Sequence, residues 1–481
     1  MSGWRHWTPP DGSIPTLSAP DLTGVRRVHL VGIGGAGMRN LARLFRARGL
    51  EVSGSDMKDS AYLRDLASLG IRTWVGHDAA LLQDPDAIVV SSAIRDTNPE
   101  VVAARERGIS IWKRQQALAA LAAGRRAIAV AGTHGKTTTT SLIAVALSRN
   151  DLDPTYLVGG DLNESGSGAR HGDGDLFVFE ADESDGSFLL TEPWVGVITN
   201  VEVDHLDFYP GGLDEIVLAF SEFAARCDTV IACGDDPEVR RALAIADVPA
   251  IRYGFDPGND LVVSVDSLGP DGAVGRVRFE DGTEVALALQ VDGPHNLLNA
   301  AAAVAVARSC GLSADPVAET LGGFAGVHRR FELRGSARGA AFYDDYGHTP
   351  TEMRVTIETA RRRAPERLIA LVQPHRYARV QALWRELGAS VSGADIVIVT
   401  DVYGAAQDPI PGVTGKLVVN GVQLAAPGRR TVYLPHRRDV VAFLEQEVRA
   451  GDLVVTMGCG DVWMLGDAGL AAIREHDGEH P

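Results

Sequence analysis

The residues able to do chemistry fall in a few short stretches. Val28 to Val31 reads as a strand running into Gly32-Ile33-Gly34-Gly35-Ala36-Gly37, a G-x-G-x-x-G loop that opens a helix. Glycines let such a backbone turn tightly and let its amides approach a diphosphate at the helix start. Asp56 follows Gly37 by 19 residues, at the end of a second strand, where an acid can face a ribose. NAD is the default ligand of such a loop, and the strand and helix around it favour a site over a turn that serves only helix packing. A second loop, Gly132-Thr133-His134-Gly135-Lys136-Thr137-Thr138, lies between an apolar strand and a helix. Its amides can cradle phosphate, Lys136 can reach the terminal phosphates of ATP, and the Thr137 hydroxyl can ligate Mg²⁺. The longer form of this loop has glycine where this chain has Val130, so the match is to a shortened G-x-x-G-K-T.

Acids follow. Glu180-Ala181-Asp182-Glu183-Ser184-Asp185 ends the strand Leu176 to Phe179, and Asp204-His205 follows the strand Val195 to Thr199. Carboxyl ends of parallel strands line ligand crevices. Magnesium bound with ATP takes oxygen ligands, so Thr137 and Glu180 suit it. His205 fits a second metal position or a phosphate contact. Asn296 and Asn299, at i and i+3, can present two amides on one helix face, and Asn296 can equally cap that helix. Arg376 and Arg379 have the same spacing, which can offer two guanidinium groups to one small carboxylate.

The elements that must position these residues alternate between strand and helix. Helices are expected over Asn40 to Arg48 and Thr137 to Arg149, and strands at Ala87 to Ser91 and Ala127 to Val130. Strands recur at Leu368 to Val372, Ile396 to Thr400 and Leu453 to Met457. Such alternation favours parallel sheets with crossover helices. Leu261 to Val291 breaks the pattern, because Gly269-Pro270-Asp271-Gly272 and Asp281-Gly282 are hairpin turns of a small antiparallel section. The Ala-rich run Ala300 to Ala307 suits a buried helix. Boundaries are expected near Gly124 and Arg334.

Composition bounds the function. The 481 residues suit three domains. Apolar residues are 45% and charged residues 23%, an ordinary core-forming balance. Lys plus Arg is 46 against 63 Asp plus Glu, a formal charge of −17, which argues against nucleic-acid binding but not against a small anionic ligand. No apolar run reaches the length of a membrane span. Met1 to Pro20 reads as a loose leader without the pattern of a secretory signal. Cys227, Cys233, Cys310 and Cys459 lack metal or redox spacing and read as reduced thiols of a cytoplasmic protein.

Taken in order, the blocks VGIGGAGM, SSAI with TNPE, GTHGKTTT, EADESD, ITNVEVDHLDFY, HNLLNAAAA, HRRFE, YDDYGHTPTE, QPHRYAR and MGCGDV resemble the Mur ligase family, from about Val25 to Gly466. The resemblance implies an α/β chain of three domains. A Rossmann-like domain (1–123, with leader 1–20) binds a UDP-sugar substrate. A central P-loop ATPase-type domain (124–333) with the antiparallel section binds ATP. A Rossmann-like C-terminal domain (334–481) holds an amino acid. It implies ATP-dependent ligation of L-alanine to the carboxylate of UDP-N-acetylmuramate through an acyl phosphate, by a monomer or homodimer with Mg²⁺.

Carried over by motif, Gly32, Gly34, Gly35, Ala36, Gly37, Met38, Asp56 and Ser91 take the UDP substrate. Gly132, Thr133, His134, Gly135, Lys136, Thr137, Thr138, Asn296, Asn299, Arg330, Asp345 and His348 take ATP. Thr137, Glu180 and His205 hold metal, and Lys136, Glu180 and His205 are the catalytic group. Tyr346, His375, Arg376 and Arg379 resemble the amino-acid site. Two departures stand out. Arg39-Asn40 replaces small residues, adding a diphosphate contact or altering the sugar-nucleotide fit. Thr349 replaces a second histidine. The near alternative is a recycling ligase that adds a ready-made peptide, and the distant one an NAD-dependent oxidoreductase.

Overall fold

The computed structural model describes residues 19–91, 94–206, 208–405 and 407–478, so most of the expected leader lies outside the described residues. The described residues form two compact units, one within 19–267 with 273–325 and the other within 268–272 with 326–478.

The first unit holds two sheets. In one, β1 (Arg27–Val31), β2 (Glu51–Asp56), β3 (Arg72–Val75), β4 (Ala87–Val90) and β5 (Ser110–Lys113) take the order β3-β2-β1-β4-β5, all parallel. The order reverses between β1 and β4, the place where such sheets open a ligand crevice. The glycine loop leaves β1, and its helix begins at Ala36 rather than Asn40, with Gly35 as the cap.

The other sheet follows with β6 (Arg126–Ala131), β7 (Thr155–Leu157), β8 (Ala169–Arg170), β9 (Leu176–Glu180), β10 (Val195–Ile198), β11 (Thr229–Cys233), β12 (Ile251–Gly254), β13 (Leu261–Gly269), β14 (Gly272–Phe279) and β15 (Glu284–Leu289). Its central strands β11-β10-β6-β9-β7 are parallel. The antiparallel pair β14 and β15 lies within the segment flagged by its turn residues. Ile128, Val130, Phe177, Val178 and Val197 are fully buried, each worth about 1.5–3 kcal/mol over exposure. The helix Pro294–Ser309 buries Ala300 to Ala307 completely or nearly so and packs on the helix Lys136–Arg149. Small side chains there let the two helix axes approach.

The helix after the first glycine loop also ties the two sheets of this unit together. Arg39 is 5% exposed, ion-pairs with Asp161 and stacks over the Tyr62 ring. Asn40 donates to the Val158 carbonyl at 3.0 Å. The Arg39-Asn40 departure thus packs this helix against the Val158 to Asp161 segment, with the guanidinium paired to Asp161.

The second unit carries β16 (Glu332–Ala337), β17 (Ala340–Asp345), β18 (Arg367–Val372), β19 (Ile396–Val399), β20 (Arg430–Tyr433) and β21 (Asp452–Met457) in the order β16-β17-β21-β18-β19-β20. All pairs but β16–β17 are parallel. Thr349, the second departure, caps the helix Pro350–Arg362: its hydroxyl accepts from the Glu352 N–H while Glu352 accepts from the Thr349 N–H. The threonine hydroxyl and the glutamate carboxylate thus satisfy one backbone amide each. Among the described residues no helix is long and apolar enough to cross a membrane.

Asp161→Ala strands a buried guanidinium and should cost about 3 kcal/mol, read as a lowered urea midpoint. Arg39→Met with Asp161→Leu should cost less than that single change.

Candidate active site

The second loop is held from behind by the segment that leaves β10. Thr133 N–H donates to the Asn200 carbonyl at 3.0 Å, and His134 N–H to Asn200 Oδ1 at 2.8 Å. The Thr199 hydroxyl and Asn200 Nδ2 both donate to the His134 carbonyl. Gly132 takes φ +136, and a Cβ there would lie 1.9 Å from Thr199 Oγ1. Gly135, at φ +81, starts the helix with no side-chain cap of its own, and a helix start of that kind suits a phosphate. Asn299 Oδ1 lies behind Gly135, accepts from Thr139 at 3.1 Å, and Asn299 Nδ2 donates to Asn296 Oδ1 at 3.3 Å. Both asparagines lie inside the helix Pro294–Ser309, whose cap is Gly293, so capping does not explain Asn296.

Acids meet this loop from β9. Lys136 Nζ donates to both Glu183 oxygens at 2.9 and 2.8 Å and to the Gly132 carbonyl at 2.5 Å. Burial works against its charge, but Glu183 and Asp182 outweigh it and raise the Lys136 pKa. Asp182 accepts from Arg114 at 2.8 Å. Burial would push its pKa up, yet Arg114, Lys136 and His205 together hold it far below the usual carboxylate range. Glu180 accepts from the Gly159 N–H at 2.6 Å. His205 sits at φ +51 with its Nε2 3.5 Å from Asp204, and its Nδ1 is buried with no hydrogen-bond partner among the described residues. An imidazole nitrogen left buried and unsatisfied fits a ligand that is a metal or a phosphate. Thr137, Glu180 and His205 thus lie at the carboxyl ends of three adjacent strands, β6, β9 and β10.

The first loop closes the other side. Gly32, at φ +82, packs against Ser91 at the end of β4. Asp56 Oδ2 accepts the Gly34 N–H at 3.0 Å, so the expected ribose acid also braces the loop. Met38 is 2% exposed and belongs to the core beneath the loop. A small cavity is lined by Gly37, Arg114, Gly159, Glu180 and Asp182, so the end of this loop faces the acids of β9. Arg114 lies across Gly37, where a Cβ would come 2.6 Å from its Nη1.

The remaining expected residues belong to the second unit. Asp345 is buried, accepts from Phe331 N–H, Gly347 N–H and the Thr356 hydroxyl, and burial raises its pKa against the pull of Arg330. Arg330 lies over the Tyr346 ring, which meets His348 edge-on. His375 Nδ1 accepts from Arg379 at 3.1 Å. The expectation that Arg376 and Arg379 share a helix face fails. Arg376 precedes the helix Tyr377–Val391 at φ +63, its N–H bonded to the Tyr403 carbonyl. Helical spacing does not apply across that cap.

Several functional candidates escaped the sequence reading. Arg114 begins the helix after β5 and gave no motif; its strand-end position was the available signal. Glu183 lay inside the acidic block, but nothing in one dimension separates it from Glu180. Thr199 and Asn200 are visible as a strand end, not as a loop support.

A Rossmann-type sheet and a phosphate loop with acids on flanking strands define an ATP-dependent ligase architecture, and the chain belongs to the Mur ligase family. Residues 27–126 match the Mur ligase family catalytic domain, 130–307 the Mur ligase middle domain and 329–460 the Mur ligase glutamate ligase domain. Within the family it is 48% identical over 475 residues to the UDP-N-acetylmuramate–L-alanine ligase of Kineococcus radiotolerans, covering 96% of this chain and 99% of the relative. The same enzyme of Pelotomaculum thermopropionicum is 42% identical, covering 94% and 98%. The UDP-N-acetylmuramate–alanine ligase structure from Thermotoga maritima superposes with a TM-score of 0.78 at 28% identity, covering 94% and 99%. A murein peptide ligase from Psychrobacter arcticus gives 0.73 at 26%, covering 93% and 98%.

Gly132→Ala forces Cβ into Thr199 at a left-handed φ, a strain of about 1–3 kcal/mol. ATP affinity by calorimetry should fall about tenfold or more, with the fold retained by circular dichroism.

Proposed function

We propose that this protein joins L-alanine to the carboxylate of UDP-N-acetylmuramate with conversion of ATP to ADP and phosphate, a cytoplasmic step of peptidoglycan precursor synthesis. The observation that carries the reading is the cavity at Gly37, where a diphosphate-type loop faces the acids beside a phosphate-loop lysine. The relatives at 41–48% identity are alanine ligases, which favours a single amino acid over a ready-made peptide. An NAD-dependent oxidoreductase would leave the Lys136 loop without a task.

A carboxylate acylates poorly because its leaving group is poor, and phosphorylation supplies a better one. Bringing two anions together needs positive charge between them. Lys136 supplies it at the phosphates once they displace Glu183. Arg114 supplies it at the cavity and takes the sugar substrate's carboxylate in place of Asp182. The loop Gly132 to Thr138 holds the phosphates through amides other than those of Thr133 and His134, which Asn200 takes, backed by Asn296 and Asn299. Gly32, Gly34, Gly35, Ala36, Gly37, Asp56 and Ser91 hold the UDP part. Thr137, Glu180 and His205 would hold Mg²⁺, which when bound neutralises phosphate charge. In the C-terminal part, Tyr346, His375, Arg376 and Arg379 take the amino acid, and Arg330, Asp345 and His348 serve ATP. The amine then adds to the acyl phosphate, and the tetrahedral intermediate expels phosphate. The functional parts are 1–123, 124–333 and 334–481.

Purified protein with ATP, Mg²⁺ and UDP-N-acetylmuramate should release phosphate with L-alanine and form the alanyl product by mass spectrometry. Turnover with tripeptide but not L-alanine would move the chain to the recycling branch. Lys136→Ala should lower ligation about a thousandfold with the fold intact. Arg114→Ala should raise KM for UDP-N-acetylmuramate about tenfold or more and leave ATP affinity unchanged; an unchanged KM would remove Arg114 from the site.

A further inference from the structure

His348, His375 and Cys459 leave the carboxyl ends of β17, β18 and β21, three neighbours in the third sheet. One ligand atom from each lies within 4.8 Å of the other two. All three residues are half-buried. We propose that they form a binding site for a thiophilic divalent ion of the zinc class, with its fourth position open.

The donor set decides the ion. Two imidazoles and a thiol are soft to borderline ligands that suit zinc and disfavour magnesium, which wants oxygen. Bond lengths of about 2.0 Å to nitrogen and 2.3 Å to sulfur require the three atoms to close up by roughly 1 Å, a side-chain adjustment. The frame around them is already held. His348 Nδ1 lies 3.1 Å from the Tyr346 carbonyl and 3.3 Å from Glu352, the partners that orient a metal-binding imidazole. The His348 and His375 rings meet at 82° with centroids 5.5 Å apart, and His375 stacks on Tyr403. Cys459 sits between Gly458 and Gly460, whose carbonyls both accept from Arg329, at 2.6 and 3.2 Å. Binding releases the Cys459 thiol proton to solvent as the metal–sulfur bond forms. Arg379, which donates to His375 Nδ1, is the charge an arriving ion must displace.

An ion there occupies His375 and, resting on the amino-acid assignment above, competes with L-alanine. The probe is Co²⁺, titrated into chelator-treated full-length protein. One equivalent should bind with four-coordinate visible bands and a near-ultraviolet thiolate-to-cobalt absorption, all displaced by Zn²⁺. Cys459→Ser, with circular dichroism unchanged, should lose the near-ultraviolet band, and His348→Ala should weaken binding about tenfold or more. X-ray absorption of the zinc-loaded wild type should show one sulfur scatterer, a readout that needs no variant. Binding without a thiolate band, or a zinc shell without sulfur, overturns the site. With the site present, failure of L-alanine to displace Co²⁺ counts against the amino-acid assignment alone.

Discussion

A parallel sheet gathers separate segments of chain at one place, the carboxyl ends of adjacent strands, and the chemistry here depends on that constraint. Strands β10, β6 and β9 end side by side. From them come His205, the Lys136 loop and the acids from Glu180 to Glu183. Gly135 starts the loop's helix without a side-chain cap, and Thr199 and Asn200 hold the His134 carbonyl and the Thr133 and His134 amides behind it. A capping side chain would stabilise the helix by about 1 kcal/mol and would fill the cradle.

Charge is balanced locally throughout the first unit. Lys136 is paired with Glu183, Asp182 with Arg114, and Arg39 with Asp161. The first two pairs offer partners that phosphate and carboxylate groups can replace, since the incoming anion takes over the neutralising role. The third is buried away from the cavity and serves cohesion. A net charge of −17 is thus compatible with anionic substrates, because recognition rests on a few placed cations and amides rather than on the average field.

The glycine loops were legible because φ near +82 at Gly32 and +136 at Gly132 demands glycine, and a residue type tied to a backbone shape leaves a mark in one dimension. The turn into β14 was legible for the same reason, with Gly272 at φ +123. Arg376 was misread because a helical spacing was applied across a cap. The Arg39 ion pair was not legible, because a partner at Asp161, 122 residues away, has no local signature. Met38 illustrates the same limit: a residue inside a binding motif turned out to face the core.

By itself the amino-acid order determined the alternation of strand and helix, the two anion loops and the family, since these rest on short-range periodicity, glycine backbone freedom and ordered motifs. Tertiary structure alone decided that Glu183 rather than Glu180 grips Lys136, that Arg114 reaches across Gly37, and that His348, His375 and Cys459 converge. Each of those outcomes depends on which strands lie beside one another, and strand order is set by packing among distant segments rather than by any stretch of neighbouring residues.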